Sequence, residues 1–398
     1  MDLQDSRRLT GLNLLSPRAG AVAEVRFEEG EAPEAALEAW STALDRALKA
    51  LDWPTTGRQV RRWSGGASLL LDAPLDALYA ATEINEWAIA EANGEAPPLA
   101  ETLGELQRSI AEETNPGLMA LESVAHERGV PFVWDDDQVC IGMGRHSRTW
   151  ATDRLPGPDA VPWETLRSIP VAYITGTNGK TTSTRMTTRI LQAAGMSPGC
   201  TSSDGVVVKG EEVERGDWTG PGAARRVLRD TQVDAAVLET ARGGILRRGL
   251  VIDTCDAALI TNVANDHLGD YGVFSVEDMA RVKGLVCQAV SPNGRRVLNA
   301  DDPLLRSLGR QPGAPVCWFS VEPITPWIQA HLEDGGEAWL LQDGWLVFHD
   351  GQDRTPVVKA EELPSTFGGT ARHNIANALG ASALSHALGV ELHHIREG

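Results

Sequence analysis

Val171-Ala172-Tyr173-Ile174-Thr175-Gly176-Thr177-Asn178-Gly179-Lys180-Thr181-Thr182 reads as an apolar strand feeding a glycine turn, with a helix continuing from Ser183 to Ala194. A strand, a turn and a helix start in that order make a cradle for phosphate. Backbone N–H groups at the turn and helix N-terminus point at the anion, Lys180 adds a mobile positive charge, and the Thr181 hydroxyl can hold a metal. Gly176 and Gly179 are separated by Thr177 and Asn178 alone, whereas the general P-loop pattern places four residues there. The stretch is a shortened P-loop, and ATP is the expected ligand of Thr177, Asn178, Gly179, Lys180, Thr181 and Thr182. The alternative is the turn and helix of an ordinary α/β fold.

Outward from the cradle, strand and helix patterns alternate. Ala235–Glu239 and Ala257–Asn262 read as strands and Val276–Val290 as a helix, which implies a mostly parallel sheet with helices on both faces. Ligands of such sheets gather at the carboxyl ends of the strands, where the P-loop, Glu239 and Asn262–His267 all lie. Glu337–Leu341 and Gly344–His349, around Gln342-Asp343, suggest a hairpin. Toward the N-terminus, residues 1–152 read as a separate α/β domain. Ala21–Phe27 and Ala67–Leu71 have strand character. Leu37, Trp40, Leu44, Leu48 and Leu51 recur at helical spacing, and Leu75–Ala92 and Leu99–Arg128 look helical. Residues 153–167, rich in proline, form the expected linker, and 168–398 the second domain.

The chain has 398 residues and a net charge of −19. That field repels nucleic acid and anionic membranes, so neither is an expected partner, and an anionic nucleotide needs a local cluster of amides, Lys, Arg and metal. Met1–Arg8 is charged and lacks the apolar core of a signal peptide, and no apolar run approaches a membrane span. Cys140, Cys200, Cys255, Cys287 and Cys317 are scattered with no Cys-x-x-Cys pair, so free thiols in a reducing cytoplasm are expected.

Further polar residues could join the cradle. Glu239, closing Ala-Ala-Val-Leu-Glu, is a hard oxygen ligand where a metal beside the phosphates would need one. His267, in Asn262-Val263-Ala264-Asn265-Asp266-His267-Leu268, could bind a second metal, and Lys283 sits in the helical run Glu277–Lys283. Singly each has a plain structural explanation: a helix cap, a turn histidine, a surface lysine. Arg242, Arg247 and Arg248 lie in a glycine-rich turn after Glu239, where Arg suits a two-pronged grip on a substrate carboxylate; a solvated basic turn is the alternative.

In order and spacing, Gly176–Thr182, Glu239, Asn265-Asp266-His267-Leu268, Lys283, Leu298-Asn299-Ala300-Asp301-Asp302-Pro303 and His373-Asn374-Ile375-Ala376-Asn377-Ala378-Leu379 resemble the Mur ligase superfamily. Asp204-Gly205-Val206, Gly216-Asp217-Trp218-Thr219-Gly220-Pro221 and Glu239–Leu250 are similar to the Mur-like module of the cyanophycin synthetases. The resemblance covers roughly residues 168–398. It implies Mg²⁺ held by Thr181 and Glu239, a second metal near His267, and a carbamylated Lys283. It also implies that His373, Asn374 and Asn377 meet the adenine. The implied reaction is ATP-dependent: a carboxylate is activated as an acyl phosphate, with Lys180, Lys283 and His267 in the catalytic set, and an amino group attacks to give an amide, ADP and phosphate. Expected partners are a small or peptide-like carboxylate, gripped by Arg242 and Arg247, and an amino acid. A homo-oligomer is compatible with this reading.

Two departures from the family stand out. Glu127–Phe132 and Val139–Arg145 resemble residues that precede an ATP-grasp module in the cyanophycin synthetases, yet the P-loop follows within about thirty residues, too few for that module. Mur ligases also continue past the His-Asn-Ile segment into a Rossmann-like domain of about 100–150 residues, whereas this sequence reaches Gly398 there; that domain is expected to be lacking, or the sequence is a fragment. The rival readings are a non-catalytic nucleotide-binding subunit that needs a partner, and a P-loop kinase or GTPase. Arg7–Asn13 resembles the start of the cyanophycin synthetases, whose corresponding domain is implied to bind polymer or support assembly.

Overall fold

A computed structural model describes every residue except Thr55, Thr56, Asp266 and His267. The N-terminal part begins with β1 (Asp2–Leu9), β2 (Gly20–Arg26), α1 (Pro33–Ala50), β3 (Arg58–Trp63) and β4 (Gly66–Asp72). It continues through α2 (Leu78–Ala92), α3 (Leu99–Glu113), α4 (Pro116–Glu127), β5 (Phe132–Trp134), β6 (Gln138–Ile141) and β7 (Arg148–Ala151). The remainder opens with β8 (Val171–Thr175), α5 (Lys180–Ala193), β9 (Pro198–Thr201), β10 (Gly205–Val208) and β11 (Glu211–Arg215). There follow α6 (Pro221–Arg229), β12 (Ala235–Glu239), α7 (Arg242–Arg248), β13 (Cys255–Ile260), α8 (Val276–Gln288) and β14 (Val290–Asn299). The last elements are α9 (Pro303–Gly309), β15 (Val316–Ser320), α10 (Pro326–Glu333), β16 (Glu337–Gln342), β17 (Trp345–His349), β18 (Arg354–Lys359), α11 (Arg372–Ala387) and α12 (Leu392–Glu397).

The first unit is an antiparallel sheet in the order β1-β2-β4-β3, packed on α1 and α2. The apolar stripe expected on α1 is the buried one, with Leu37, Trp40 and Leu44 in the core. Trp40 donates its indole N–H to Asn85 Oδ1 at 2.9 Å, and Asn85 passes its own amide to Leu69 O at 3.0 Å, so both buried polar groups are satisfied. The single helix expected over Leu99–Arg128 is two. Pro116 cannot continue α3, and Asn115 instead caps a new helix by accepting from Leu118 N at 3.0 Å. Residues 153–167 are packed against this unit: Val161 and Leu166 are buried in its core.

The large sheet runs β11-β10-β9-β12-β8-β13-β14-β15-β16-β17-β18. From β9 through β16 its neighbours are parallel, and antiparallel strands extend both margins. Alternation along β8 feeds two cores. Val171 and Tyr173 join one with Met279, Val282 and Leu285 of α8; Ala172 and Ile174 join the other with Ile190 of α5 and Leu379 of α11. The hairpin read around Gln342-Asp343 is present: Gln342 pairs with Trp345, and Asp343 and Gly344 both take positive φ, as a two-residue primed turn requires.

The charged stretch Asp2–Leu9, passed over as a strand in the sequence, is β1, and it links the two units. Thr10 N–H donates to Arg248 O and Leu250 N–H to Leu12 O, each at 2.8 Å. Arg7, only 9% exposed, donates to Leu246 O at 3.0 Å and Glu24 Oε1 at 2.8 Å, pairs with Asp5, and stacks over the Tyr271 ring. Arg61 reaches Tyr271 O and Gly272 O. All five cysteines are buried and free of disulfides. Among the described residues no helix is long and apolar enough to cross a membrane.

Candidate active site

The turn after β8 is held open by its neighbours rather than by its own residues. Gly176 and Gly179 have φ of 150° and 84°. Thr177 N–H donates to Asn262 O at 2.9 Å, and Asn178 N–H to Asn262 Oδ1 at 3.0 Å. Asn262 Nδ2 and Thr261 Oγ1 return bonds to Asn178 O at 3.0 and 2.6 Å. With its turn pinned this way, the chain enters α5 at Lys180, and the first amides of that helix face outward at the carboxyl end of the sheet. Lys180 Nζ rests 3.1 Å from Thr177 O, folded over the turn, and Thr182 follows on the same first helical turn.

Glu239 closes β12 beside β8, whose neighbouring register places it opposite Ile174. It is 2% exposed. Its Oε1 accepts from Thr181 Oγ1 at 3.3 Å, and Thr181 Oγ1 is 2.9 Å from Ser203 Oγ. Glu239 Oε2 is buried with no hydrogen-bond partner among the described residues, which is costly unless another group satisfies it. Burial pushes the carboxyl up from its ordinary range. The Thr181 bond and the Lys180 charge pull it back, and Asp217 adds to the rise. An orphaned hard oxygen next to a hydroxyl at a phosphate-facing helix start fits Mg²⁺, which is bound through one or two protein groups plus phosphate and water. Among the described residues there is no cluster of three His, Cys, Asp or Glu for a metal.

The distant segment read as adenine-facing also arrives at the cradle. A Cβ on Gly179 would lie 2.2 Å from Asn377 Oδ1. Asn377 donates to Asn374 Oδ1 at 3.4 Å, Asn374 donates to Ser365 O at 2.6 Å, and His373 is exposed on the first turn of α11. Lys283 is 4% exposed on α8, which packs on β8 and β13. His267 lies outside the described residues. Arg242 pairs with Asp270 at 3.1 Å and its Nη1 is buried without a partner among the described residues, while Arg247 Nε donates to the Tyr271 hydroxyl at 3.2 Å. Arg248 is turned away to Arg8 O at 3.2 Å, serving the contact between the two units.

Thr261, Asn262, Asn299 and Asp302 were given no role in the sequence. Asn299 Nδ2 donates to Thr261 O at 2.9 Å, and Asp302 Oδ2 accepts from Val263 N–H at 2.7 Å while its Oδ1 caps α9. These residues clip the ends of β13 and β14 together and so fix the turn. The run Asn299-Ala300-Asp301-Asp302-Pro303 was the available signal: two Asx side chains before a proline mark a helix start.

A shortened P-loop on a parallel sheet, with a buried carboxylate facing it from the next strand, defines a nucleotide-site α/β module. Residues 174–385 match the family model described as Mur ligase middle domain, and the chain belongs to that family. It is 44% identical over 237 residues to cyanophycin synthetase of Crocosphaera subtropica, a match covering 60% of this chain and 27% of that protein. It is 34% identical over 218 residues to UDP-N-acetylmuramoylalanine–D-glutamate ligase of Nitrosospira multiformis, covering 54% of this chain and 40% of that one. The match thus spans about a quarter of the length of the cyanophycin synthetases. A solved UDP-N-acetylmuramoyl-L-alanyl-D-glutamate–2,6-diaminopimelate ligase aligns with a TM-score of 0.45 and 16% identity over 59% of this chain and 46% of that chain.

Proposed function

We propose that this chain is an ATP-dependent amide ligase that activates a substrate carboxylate as an acyl phosphate. The γ-phosphoryl group passes to a carboxylate oxygen as the bond to the β-phosphate breaks and ADP leaves. An amine then attacks the acyl carbon, phosphate departs, and the amine loses a proton as the amide forms. The observation that carries the reading is the orphaned Glu239 oxygen beside Thr181 at the start of α5.

In this reading Lys180 unfolds from Thr177 O onto the phosphates, and the turn amides hold their oxygens. Thr181 and Glu239 hold Mg²⁺, which supplies charge neutralisation on the phosphates when bound. His267 belongs to a second metal site. Lys283 serves as a carbamate: its neutral amine adds carbon dioxide and releases a proton to solvent, leaving an anion in place of the amine. His373, Asn374 and Asn377 meet the adenine. Arg242, with its unpartnered Nη1, and Arg247 receive the acid. The amine is an amino acid, as D-glutamate is for the relative UDP-N-acetylmuramoylalanine–D-glutamate ligase.

The test is phosphate release by the purified protein against a matrix of carboxylates and amino acids. Lys180→Ala should lower any activity by about 10²–10³-fold, the scale of losing one transition-state donor. An unchanged rate in that variant overturns the reading.

A further inference from the structure

The turn between β6 and β7, residues 142–147, is tied to the amino end of the large sheet. Arg145 N–H donates to Val233 O at 2.8 Å, just ahead of β12, and Met143 N–H donates to Arg167 O at 3.0 Å, a few residues ahead of β8. Gly144 has φ of 54°, and a Cβ there would lie 2.3 Å from Val233 O, so the turn is pressed onto the chain entering β12. Glu239 and the phosphate cradle lie at the opposite, carboxyl end of these strands.

Three basic side chains meet at this turn. Arg145 Nε donates to His146 Nε2 at 3.3 Å, and Arg167 Nη2 donates to the same nitrogen at 3.1 Å. A guanidinium only donates, so Nε2 is unprotonated and the ring proton is on Nδ1. One lone pair then serves two donors, and two like charges are held as neighbours. Nearby carboxylates do not balance them. Asp234 Oδ2 is 3.6 Å from Arg145 Nη1, while its Oδ1 already accepts from Ser197 N–H at 2.6 Å. Among the described residues Arg167 makes no ion pair. Burial, then the charges of Arg167 and Arg145, push the His146 pKa down, with no anion opposing them. A chain of net charge −19 thus gathers cations at one fixed point.

We propose that this turn binds a small tetrahedral oxyanion of the phosphate type, held between the forks of Arg145 and Arg167 and, once protonated, by His146. A tetrahedral group offers oxygens to both forks at once, whereas a carboxylate fills one. The anion removes the repulsion between the guanidiniums and receives the donors that a single lone pair cannot satisfy. Occupancy of this site does not require the ligase reaction.

The test is NMR of the full chain labelled at histidine, titrated across pH at constant ionic strength, with His146→Gln assigning the signal. Sulfate is the probe because it stays a dianion throughout that range. In chloride His146 should titrate below its ordinary value of 6.5. Saturating sulfate should move that titration up by about one pH unit, a ten-fold preference of the anion for the protonated site. Arg145→Gln and Arg167→Gln change exposed side chains, should melt like the parent, and should each remove most of the difference between sulfate and chloride. Lys180→Ala, which takes the cation from the cradle, should leave that difference intact. Inorganic phosphate should displace sulfate. Equal displacement by methyl phosphate assigns a phosphate monoester as the ligand, and displacement by phosphate alone assigns the free ion. An unmoved His146 titration, an equal rise with acetate, a rise that survives both arginine variants, or phosphate that fails to displace sulfate overturns the proposal.

Discussion

Asn377 Oδ1 occupies the space that a side chain on Gly179 would need, 2.2 Å from the position of a Cβ there. A residue on α11 thus sets the glycine requirement of a turn almost two hundred positions earlier. Gly179 also has φ of 84°, so Gly179→Ala combines a left-handed penalty of about 1–2 kcal/mol with a clash. Gly195 has φ of 79° and open space around its Cβ position, so Gly195→Ala carries the backbone penalty alone. Both variants should lower the unfolding midpoint, and only Gly179→Ala should weaken nucleotide binding. Thermal unfolding with nucleotide titration checks this; equal nucleotide affinity in the two would refute it.

Burial raises the Glu239 carboxyl above its ordinary value of 4.5. The folded state therefore keeps that proton to higher pH than the unfolded chain does. Stability from this group is lost as pH rises from 4.5 through the raised value. Glutamine carries no such penalty. In the absence of metal, Glu239→Gln should unfold at a higher temperature than the parent at neutral pH, and the gap should close as pH falls below 4.5. With Mg²⁺ and an ATP analogue the order should reverse, since only the parent gains a ligand bond. Melting curves across pH, with and without Mg²⁺, measure both effects.

Arg7 and Glu24 form a buried pair, with Ser68 Oγ donating to the other Glu24 oxygen at 2.6 Å. Removing one partner strands a buried charge, at a cost of about 3–5 kcal/mol. Arg7→Met should show that loss in urea denaturation. The double variant Arg7→Met with Glu24→Gln should recover much of it, because the stranded anion is gone. A double variant as unstable as Arg7→Met alone would show that the cost lies elsewhere.

The sheet was legible because β8, β12 and β13 are apolar runs ending at polar residues that face one ligand site, a pattern buried parallel strands produce. Gly176–Thr182 and Glu239 could be paired in advance because strand ends at one edge of such a sheet are neighbours. β1 was not legible: half of Asp2–Leu9 is charged, and its strand state depends on pairing with β2 and on the Arg7 contacts to α7. Nothing local in Asp5-Ser6-Arg7 announces that Arg7 bonds a carbonyl on α7 more than two hundred positions away.

Asn262 illustrates the part of the site that only packing reveals. Its side chain accepts from Asn178 N–H and donates to Asn178 O, so a single side-chain amide clamps both backbone groups of one residue in the cradle. Its backbone carbonyl holds Thr177 as well. Asn262→Ala leaves the carbonyl in place and removes the side-chain clamp, at a cost of about 0.5–1.5 kcal/mol per bond. Asn262→Asp keeps the acceptor for Asn178 N–H but sets a carboxylate against Asn178 O and beside the phosphate site. Alanine should therefore weaken nucleotide binding modestly, and aspartate should weaken it more despite its closer shape, with the difference shrinking at high salt as the added charge is screened. Nucleotide titrations of both variants at low and high ionic strength decide this; an aspartate variant that binds better than alanine at low salt would mean that Asn262 acts through shape rather than through its paired bonds.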